Sequence, residues 1–560
     1  MKKSLVAVGV IIAVGAAWTG ASWYTGSKVE KELNKVISNT NAFFAANAPE
    51  AGLTFKVENF KRGVFSSQAN IVISAAESAG PDETIVFNTD IDHGPFPLSQ
   101  VAKFNLMPKL GAAHIELANN ASTKELFEIT KGKPFISGDA VIGYSKSIDS
   151  DLELLPIEYS KEDASISFSG SKMVFNTTSD LEKVDASLIT DNLVIQKADK
   201  SEGMTLKGLK LISNVTKTQY GFYTGKQEFV IADTDFNIPE VKFSFKNLAI
   251  NSDTVLEKET VKGNLAINSD TVLEKETVKG NLAYSIDGLT ALGQNLGSGK
   301  AVLSIDKLDA KALGQFVEQY NKALAEGLAS GNPSAAGEQI AMDIVTKTLP
   351  QLLQSKPTFS ISPAYWKNDA GQSSIDLSMT FNKWNQDELT SLALSNKVDE
   401  AVKSLLTSFD FNFTLNKPMA IELLAQAAIL DQGKAVDAEI KKQYVEQATA
   451  EFEQAQMMLT SDMFSSPFEE MFMTDEERAE KAKQKKSPWM VEKGNDLTMT
   501  IKFAGNDITF NADKYTLADF LTKMKIMSSP ESTLDYEEEI IVPEVEEAPA
   551  EGAEVAQPAN

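Results

Sequence analysis

The chain has 560 residues, a formal net charge of −25 and no cysteine. That charge excludes a nucleic-acid partner, whose phosphates need a surface rich in Lys and Arg, and a polybasic contact with lipid headgroups. The missing thiols exclude disulfides, thiolate nucleophiles and Cys-ligated zinc, so stability must come from cores, of which this length can bury several.

Lys2 and Lys3 precede a run without Asp, Glu, Lys or Arg from Ser4 to Ser27. Leu5 to Tyr24 meets the roughly 20 residues that span a bilayer as a helix. The two lysines favour a cytoplasmic N-terminus, which places everything after Gly26 outside the cytoplasm. Trp18, Trp23 and Tyr24 suit an outer interfacial belt. The competing reading is a cleaved signal peptide with Leu5–Ala17 as its apolar region. Its cleavage triplet would be Thr19-Gly20-Ala21, which the tryptophans bracket, so a retained anchor over residues 1–26 is the expectation. Gly9, Ala13, Ala17 and Ala21 recur every four residues and form a stripe of small side chains suited to helix–helix association, and hence to a homodimer.

Ser27 to Ala48 reads as a helical stalk, with Val29, Leu33, Val36, Ile37, Phe43 and Phe44 at helical spacing and Pro49 as its stop. From Gly52 to about Ile305 the period becomes two, as in Thr54–Glu58, Ser165–Ser169 and Val241–Phe245, with Gly, Asn, Asp and Ser between the runs. Such segments are antiparallel strands with one buried face. Residues 51–308 are therefore expected to form a large, curved antiparallel sheet in an α+β fold. Within it Asn247–Gly263 is repeated without change as Asn264–Gly280. Two copies are too few for a solenoid. Because an added strand would reverse every later one, each copy is expected to be a short hairpin, or one copy to loop out.

Residues 309–490 read as mainly helical. Asp309 is the N-cap of a helix with Leu313, Phe316, Val317, Tyr320 and Leu324 on one face. Further helices are expected over Pro333–Leu353 and Gln386–Ser408, and a helical hairpin over Pro418–Leu459, broken near Gly433. Residues 491–530 carry strands at Leu497–Ile501 and Ile508–Phe510 and a closing helix at Thr516–Met527. Residues 531–560 hold ten acidic and no basic side chains, and are expected to be disordered.

Few residues here carry chemistry. His93 lies in Asp90–Leu98, where Asp90, Asp92 and His93 could be read as ligands. The stronger reading is that Gly94-Pro95 stops a strand and that His93, Gly94, Pro95 and Phe96 form a structural turn. His114, between Leu110 and Ile115, reads as surface or core. Gly293–Lys300 imitates a phosphate loop but lacks its spacing, has Ala301 where Ser or Thr would hold Mg²⁺, and runs into a strand. Met457, Met458, Met463, Met471 and Met473 crowd one stretch and suggest an adaptable apolar contact surface. A hairpin tip packed on its own domain is the stronger reading, because apolar runs usually mean core. Thr474–Glu477 is a capping box before a helix bearing Lys481, Lys483, Lys485 and Lys486. No catalytic residue, cofactor or metal ligand is assigned.

Several segments together resemble one family. They are Trp23–Gly26, Phe60–Ser67, His93–Leu98, Leu155–Ser160 with Phe168–Ser171, Tyr284–Asp287 and Leu303–Ala310. They resemble the YdgA-like family of Gram-negative envelope proteins, over most of Met1 to about Met527. The resemblance implies an inner-membrane anchor and a large periplasmic part, and carries over no catalytic residue. The expectation is a non-enzymatic, single-pass inner-membrane protein with its bulk in the periplasm. It would bind a lipid or amphiphile or support envelope organisation; the alternative is a homodimeric scaffold or assembly factor.

Overall fold

A computed structural model of the chain describes residues 2–47, 51–75, 83–161, 163–238, 241–263, 271–329, 347–395, 397–433, 437–463, 474 and 487–524. The acidic tail, the segment holding Met471 and Met473, and the lysine-bearing helix expected after Thr474 lie outside the described residues.

A single helix, α1 (Lys2–Asn47), takes in both the apolar run and the expected stalk. No residue between them breaks it, because Gly20 and Gly26 cost a helix only about 1 kcal/mol each. The side chains of residues 2–15 lie outside the described residues. Among the described residues, no helix is long and apolar enough to cross a membrane.

Among the described residues, 22 strands join one antiparallel sheet. It opens with β1 (Thr54–Arg62), β2 (Ser66–Ser74), β3 (Thr84–His93), β4 (Gly111–Leu117), β5 (Ile136–Ile142) and β6 (Ser147–Leu154). A small hairpin, β7 (Ile157–Ser160) and β8 (Ala164–Phe168), leads to β9 (Ser171–Thr178). Long strands follow: β10 (Lys183–Lys197), β11 (Gly203–Lys217), β12 (Tyr223–Ile238), β13 (Val241–Gly263), β14 (Thr271–Ala291) and β15 (Gln294–Asp309). The sheet continues through β16 (Thr358–Asn368), β17 (Gly371–Phe381) and β18 (Leu406–Asn416). It ends with β19 (Val491–Lys493), β20 (Asp496–Ala504), β21 (Asp507–Phe510) and β22 (Asp513–Thr516). Neighbours in sequence are neighbours in the sheet except at three points: β6 pairs with β9, β8 pairs with β10, and β18 pairs with β20. Short connections make this meander the simplest route for the chain.

The long strands need a device to keep one face apolar, since strands usually run only about five or six residues. Across β11, β12 and β13 the pairing skips Gly208, Ala232 and Asn247. Gly208 and Asn247 have left-handed φ values of +61° and +47°. On the two sides of this line the apolar positions lie three apart instead of two. Leu206 and Leu209, Phe245 and Leu248, and Ile286 and Leu289 are the pairs. A residue out of the pleat is what keeps such an offset pattern on one face; a straight strand would turn half of it over.

The tandem repeat takes neither expected form. The first copy lies in β13, and the described part of the second, Thr271–Gly280, lies in β14. The two pair with each other from Thr254↔Gly280 to Gly263↔Thr271. The duplication therefore lengthens both arms of one hairpin and leaves the direction of every later strand unchanged.

Among the described residues of 309–490, helix outweighs strand, but β16, β17 and β18 also fall there. Their described helices include α4 (Ala310–Ala329), α5 (Gln386–Leu394), α6 (Val398–Leu405), α7 (Lys417–Asp431) and α8 (Ala438–Leu459); of the helix expected over Pro333–Leu353, residues 347–352 are helical and 333–346 lie outside the described residues. Asp309 caps α4 by accepting from the Ala312 N–H at 3.0 Å. Asn416 and Asp437 cap α7 and α8 in the same way. Thr516 caps the closing helix, α9 (Leu517–Lys523). Phe503, Ile508, Phe510, Leu517, Phe520 and Leu521 form a C-terminal core. Met463 is buried in it, so it is not part of an exposed methionine surface, whereas Met457 and Met458 are exposed.

Candidate functional site: a helix–sheet joint and an apolar sheet face

The segments that carry the family resemblance near the N-terminus converge on one joint. Gly26 of α1 rests on the imidazole of His93, so closely that a Cβ there would lie 2.4 Å from the ring. His93 is 2 % exposed. Its Nδ1–H donates to the Val64 carbonyl at 3.0 Å, which leaves Nε2 to accept from the Ser67 hydroxyl at 2.7 Å. The tautomer follows from those two partners. Thr25 donates from its hydroxyl to the Gly94 carbonyl at 2.6 Å. Gly94, before the cis Pro95, must be glycine, because a Cβ would meet the Lys109 carbonyl. Beneath this polar layer Val29 is fully buried against Ile91 and Leu110. Arg62 faces Glu30 at 3.6 Å.

Asp90 and Asp92 do not approach the imidazole. Asp90 accepts from Gln68 at 2.8 Å, and Asp92 accepts from the Ser99 N–H at 2.7 Å. His93, Gly94 and Pro95 thus hold the helix against the sheet, while Phe96 is exposed. Among the described residues no group of three or more acidic or His side chains could hold a metal ion. Of the small-residue stripe, Gly9 and Ala13 have side chains outside the described residues. Ala17 is exposed, and Ala21 faces the chain's own turn at Gly143–Lys146 across a space of about 360 Å³.

His114 stands on the opposite, polar face of the sheet. Its ring bonds Asp139 at 2.8 Å and Glu116 at 3.0 Å, and Lys103 reaches Asp139 at 2.6 Å. The bond to Asp139 outweighs desolvation and raises the His114 pKa above 6.5. Burial pushes Asp139 up, but Lys103 and His114 together overcome it and hold the carboxyl below its ordinary value. This is a surface charge network.

The other face of the sheet is where the apolar side chains gather. Cross-strand register sets Leu188 opposite Leu211, Leu211 opposite Phe229, Phe229 opposite Ile250, and Ile250 opposite Tyr284. The neighbouring row runs Ala186, Ser213, Gln227, Ser252 and Leu282. Together with Met173 and Phe175 these rows line a groove of about 480 Å³. A second hollow, about 300 Å³, continues it past Tyr284 and Ile286 to Tyr365 and Trp366. The Trp366 ring lies over Gly299, where a Cβ would be 2.3 Å away, and its Nε1–H donates to the Leu296 carbonyl at 2.8 Å. Toward β3–β5 the same face is covered by α1 through Val29 and Leu33. At the strand ends α4 helps to close it around Phe222, Val278, Leu308 and Ala310. Between those covers Leu211, Tyr284 and Leu303 remain 38 %, 41 % and 40 % exposed. Sequence reasoning missed this row; its signal was the even spacing of Leu209 and Leu211, Phe229 and Ile231, and Leu248 and Ile250.

Comparison with known proteins gives relatives along most of the chain. A family model described as a bacterial protein of unknown function, DUF945, matches residues 1–466. "Protein YdgA" of Escherichia coli is 30 % identical over 537 residues, covering 93 % of this chain and 96 % of the relative. "Uncharacterized protein YihF" of the same organism is 28 % identical over 421 residues, 73 % of this chain and 82 % of the relative. An "Uncharacterized protein" of Haemophilus influenzae is 26 % identical over 333 residues, 57 % of this chain and 85 % of the relative. No solved structure matches. The convergence of Trp23–Gly26, Phe60–Ser67 and His93–Leu98 on one joint agrees with a match that starts at residue 1, and the chain belongs to the DUF945 family.

Proposed function

We propose that this chain is a non-enzymatic protein of the bacterial envelope, held in the inner membrane by the N-terminal half of α1, that binds the acyl portion of a lipid or amphiphile along its apolar sheet face. The observation that carries the reading is the uncovered row Leu188–Leu211–Phe229–Ile250–Tyr284 beside the more polar row Ser213–Gln227–Ser252. Five strands at about 4.8 Å make the apolar row about 19 Å long. That is close to the roughly 15 Å of hydrocarbon in one bilayer leaflet. An amphiphile lying across the strands would bury its chain on the first row and offer its polar end to the second.

An apolar row on an open sheet face, rimmed by polar side chains, is the kind of surface that takes a ligand or partner. The alternative, a homodimeric scaffold, would cover it with a second copy; the pairing of an apolar with a polar row favours an amphiphile. Native mass spectrometry of the purified full chain tests the reading against a Leu211→Glu variant. Bound phospholipid or fatty acid is expected on the native chain and much less on the variant. Equal lipid on both, or a lipid-free dimer that buries the face, overturns it.

A further inference from the structure

A different apolar surface sits at the joint. The connection from β3 to β4 presents Phe104, Leu106 and Met107 at 92 %, 65 % and 68 % exposure. The short α2 (Leu98–Ala102) opens this connection. The loop is held rigidly in place. The Asn105 N–H donates to the Gln100 carbonyl at 2.9 Å, and its side-chain amide reaches Gln100 Oε1 at 3.0 Å. The Lys109 N–H donates to the Pro95 carbonyl at 2.9 Å. A collapsing loop would bury its largest side chains; this one is braced to display them.

The surroundings indicate what meets it. The loop's base is hydrogen-bonded to α1 through Thr25 and Gly94. Beside it the β1–β2 turn exposes Val64 and Phe65, and the Phe65 ring meets Trp18 of α1 edge-on at 6.4 Å. Trp23 and Tyr24 are more than half exposed on the same stretch of helix, with Arg62 over the Trp23 ring at 5.7 Å and Lys28 over the Tyr24 ring at 5.5 Å. Aromatic rings paired with cations mark a membrane–water interface, where rings sit among headgroups and cations meet phosphates. Toward its N-terminus the same helix carries the apolar sequence run Leu5–Ala17. A water-facing partner would not account for exposed apolar tips on a loop whose base is tied to that stretch of helix.

We propose that the Phe104–Met107 loop, with Val64 and Phe65, forms a collar around α1 that dips into the outer leaflet of the bilayer and seats the sheet on the membrane surface. This rests on the reading of α1 as a membrane anchor. The collar fixes which way the sheet stands. It holds the β3–β5 end, where α1 covers the apolar face, at the membrane, and leaves the open groove further from it.

The absence of cysteine makes a clean test, since a single Phe104→Cys in the full chain can carry an environment-sensitive fluorophore. The chain is reconstituted into vesicles of phosphatidylethanolamine and phosphatidylglycerol containing shallow nitroxide-labelled lipid. A second variant, Leu394→Cys, labels an exposed site elsewhere. The expected result is blue-shifted emission at 104, quenched at least twofold more by the nitroxide than emission at 394. Integration into vesicles with equal, water-like emission at both sites overturns the collar and leaves the anchor standing. Failure of the chain to enter vesicles at all overturns both.

Discussion

Gly26 and His93 are a lock and its bolt. An alanine at 26 places a methyl group against the imidazole, and neither the ring, held by Ser67 and Val64, nor the helix, held by Thr25 and Val29, can give way cheaply. Overpacking of this kind costs about 1–3 kcal/mol. Gly26→Ala should lower stability by that amount in chemical denaturation. Adding His93→Ala should recover part of the loss, because the clash disappears with the ring, giving a non-additive double-mutant cycle. Strict additivity would mean the two residues do not bear on each other. At His114 the question is pH. Its raised pKa contributes stability that is fully present below 6.5 and lost as pH rises through the folded value. Asp139, held low, contributes stability present above its ordinary 3.8 and lost as pH falls through its depressed value. The network is therefore strongest between those limits, and His114→Gln should flatten the fall in stability on the alkaline side of 6.5. Unchanged pH dependence in thermal melts would show that the network is screened by solvent. The turn role of Gly94-Pro95 was legible in the sequence because such a dipeptide ends strands. The contact between Gly26 and His93 was not, since nothing local links residues so far apart.

The duplicated segment shows why elements are harder to place than to detect. Strand character in Thr271–Gly280 was plain from its β-branched Thr271, Val272, Thr277 and Val278 within the period-two region. What was hidden is that two identical copies can face each other, because register depends on neighbours and not on the copy itself. The pairing gives the consequence of removing Asn264–Gly280. Thr254 would then face Gly263 and Leu256 would face Val261, with a turn at Lys258 and Glu259. Val261 would fall where Val278 now packs against Phe222 and Leu308. The deletion should fold with a Tm no more than about 4 °C lower, the shift of about 1 kcal/mol in a large domain. A loss of more than about 10 °C would show that the ribbon beyond Thr254 supports the sheet. Likewise β16 and β17 were visible in the alternation of Phe359 and Ile361 and of Ile375, Leu377 and Met379. They were overlooked because the flanking segments read as helix. The methionine-rich run left both a packed tip and an apolar surface open, because the run itself does not reveal that Met463 reaches a core built some forty residues later.

At the scale of the molecule, a sheet of 22 strands with one apolar face divides that face into covered and open parts, and the two should respond differently to charge. Val278 is 4 % exposed, packed against Phe222 and Leu308 where α4 closes over the strand ends. A carboxylate there loses its water and gains no cation to meet it, so Val278→Glu should cost about 3–5 kcal/mol, the penalty for an uncompensated buried charge. Leu211 lies on the same face but is 38 % exposed. A carboxylate there can stay solvated, so Leu211→Glu should change stability by no more than about 0.5 kcal/mol, as most exposed substitutions do. A structural role for the open row predicts the opposite, since a face buried against a second copy would penalise both charges alike. The measurement is a pair of denaturation curves over a range of protein concentrations. A large loss at Leu211 that shrinks on dilution, as the native dimer itself dissociates, would assign the face to a dimer. A large loss at Val278 alone would mean that the open row is kept apolar for something other than folding.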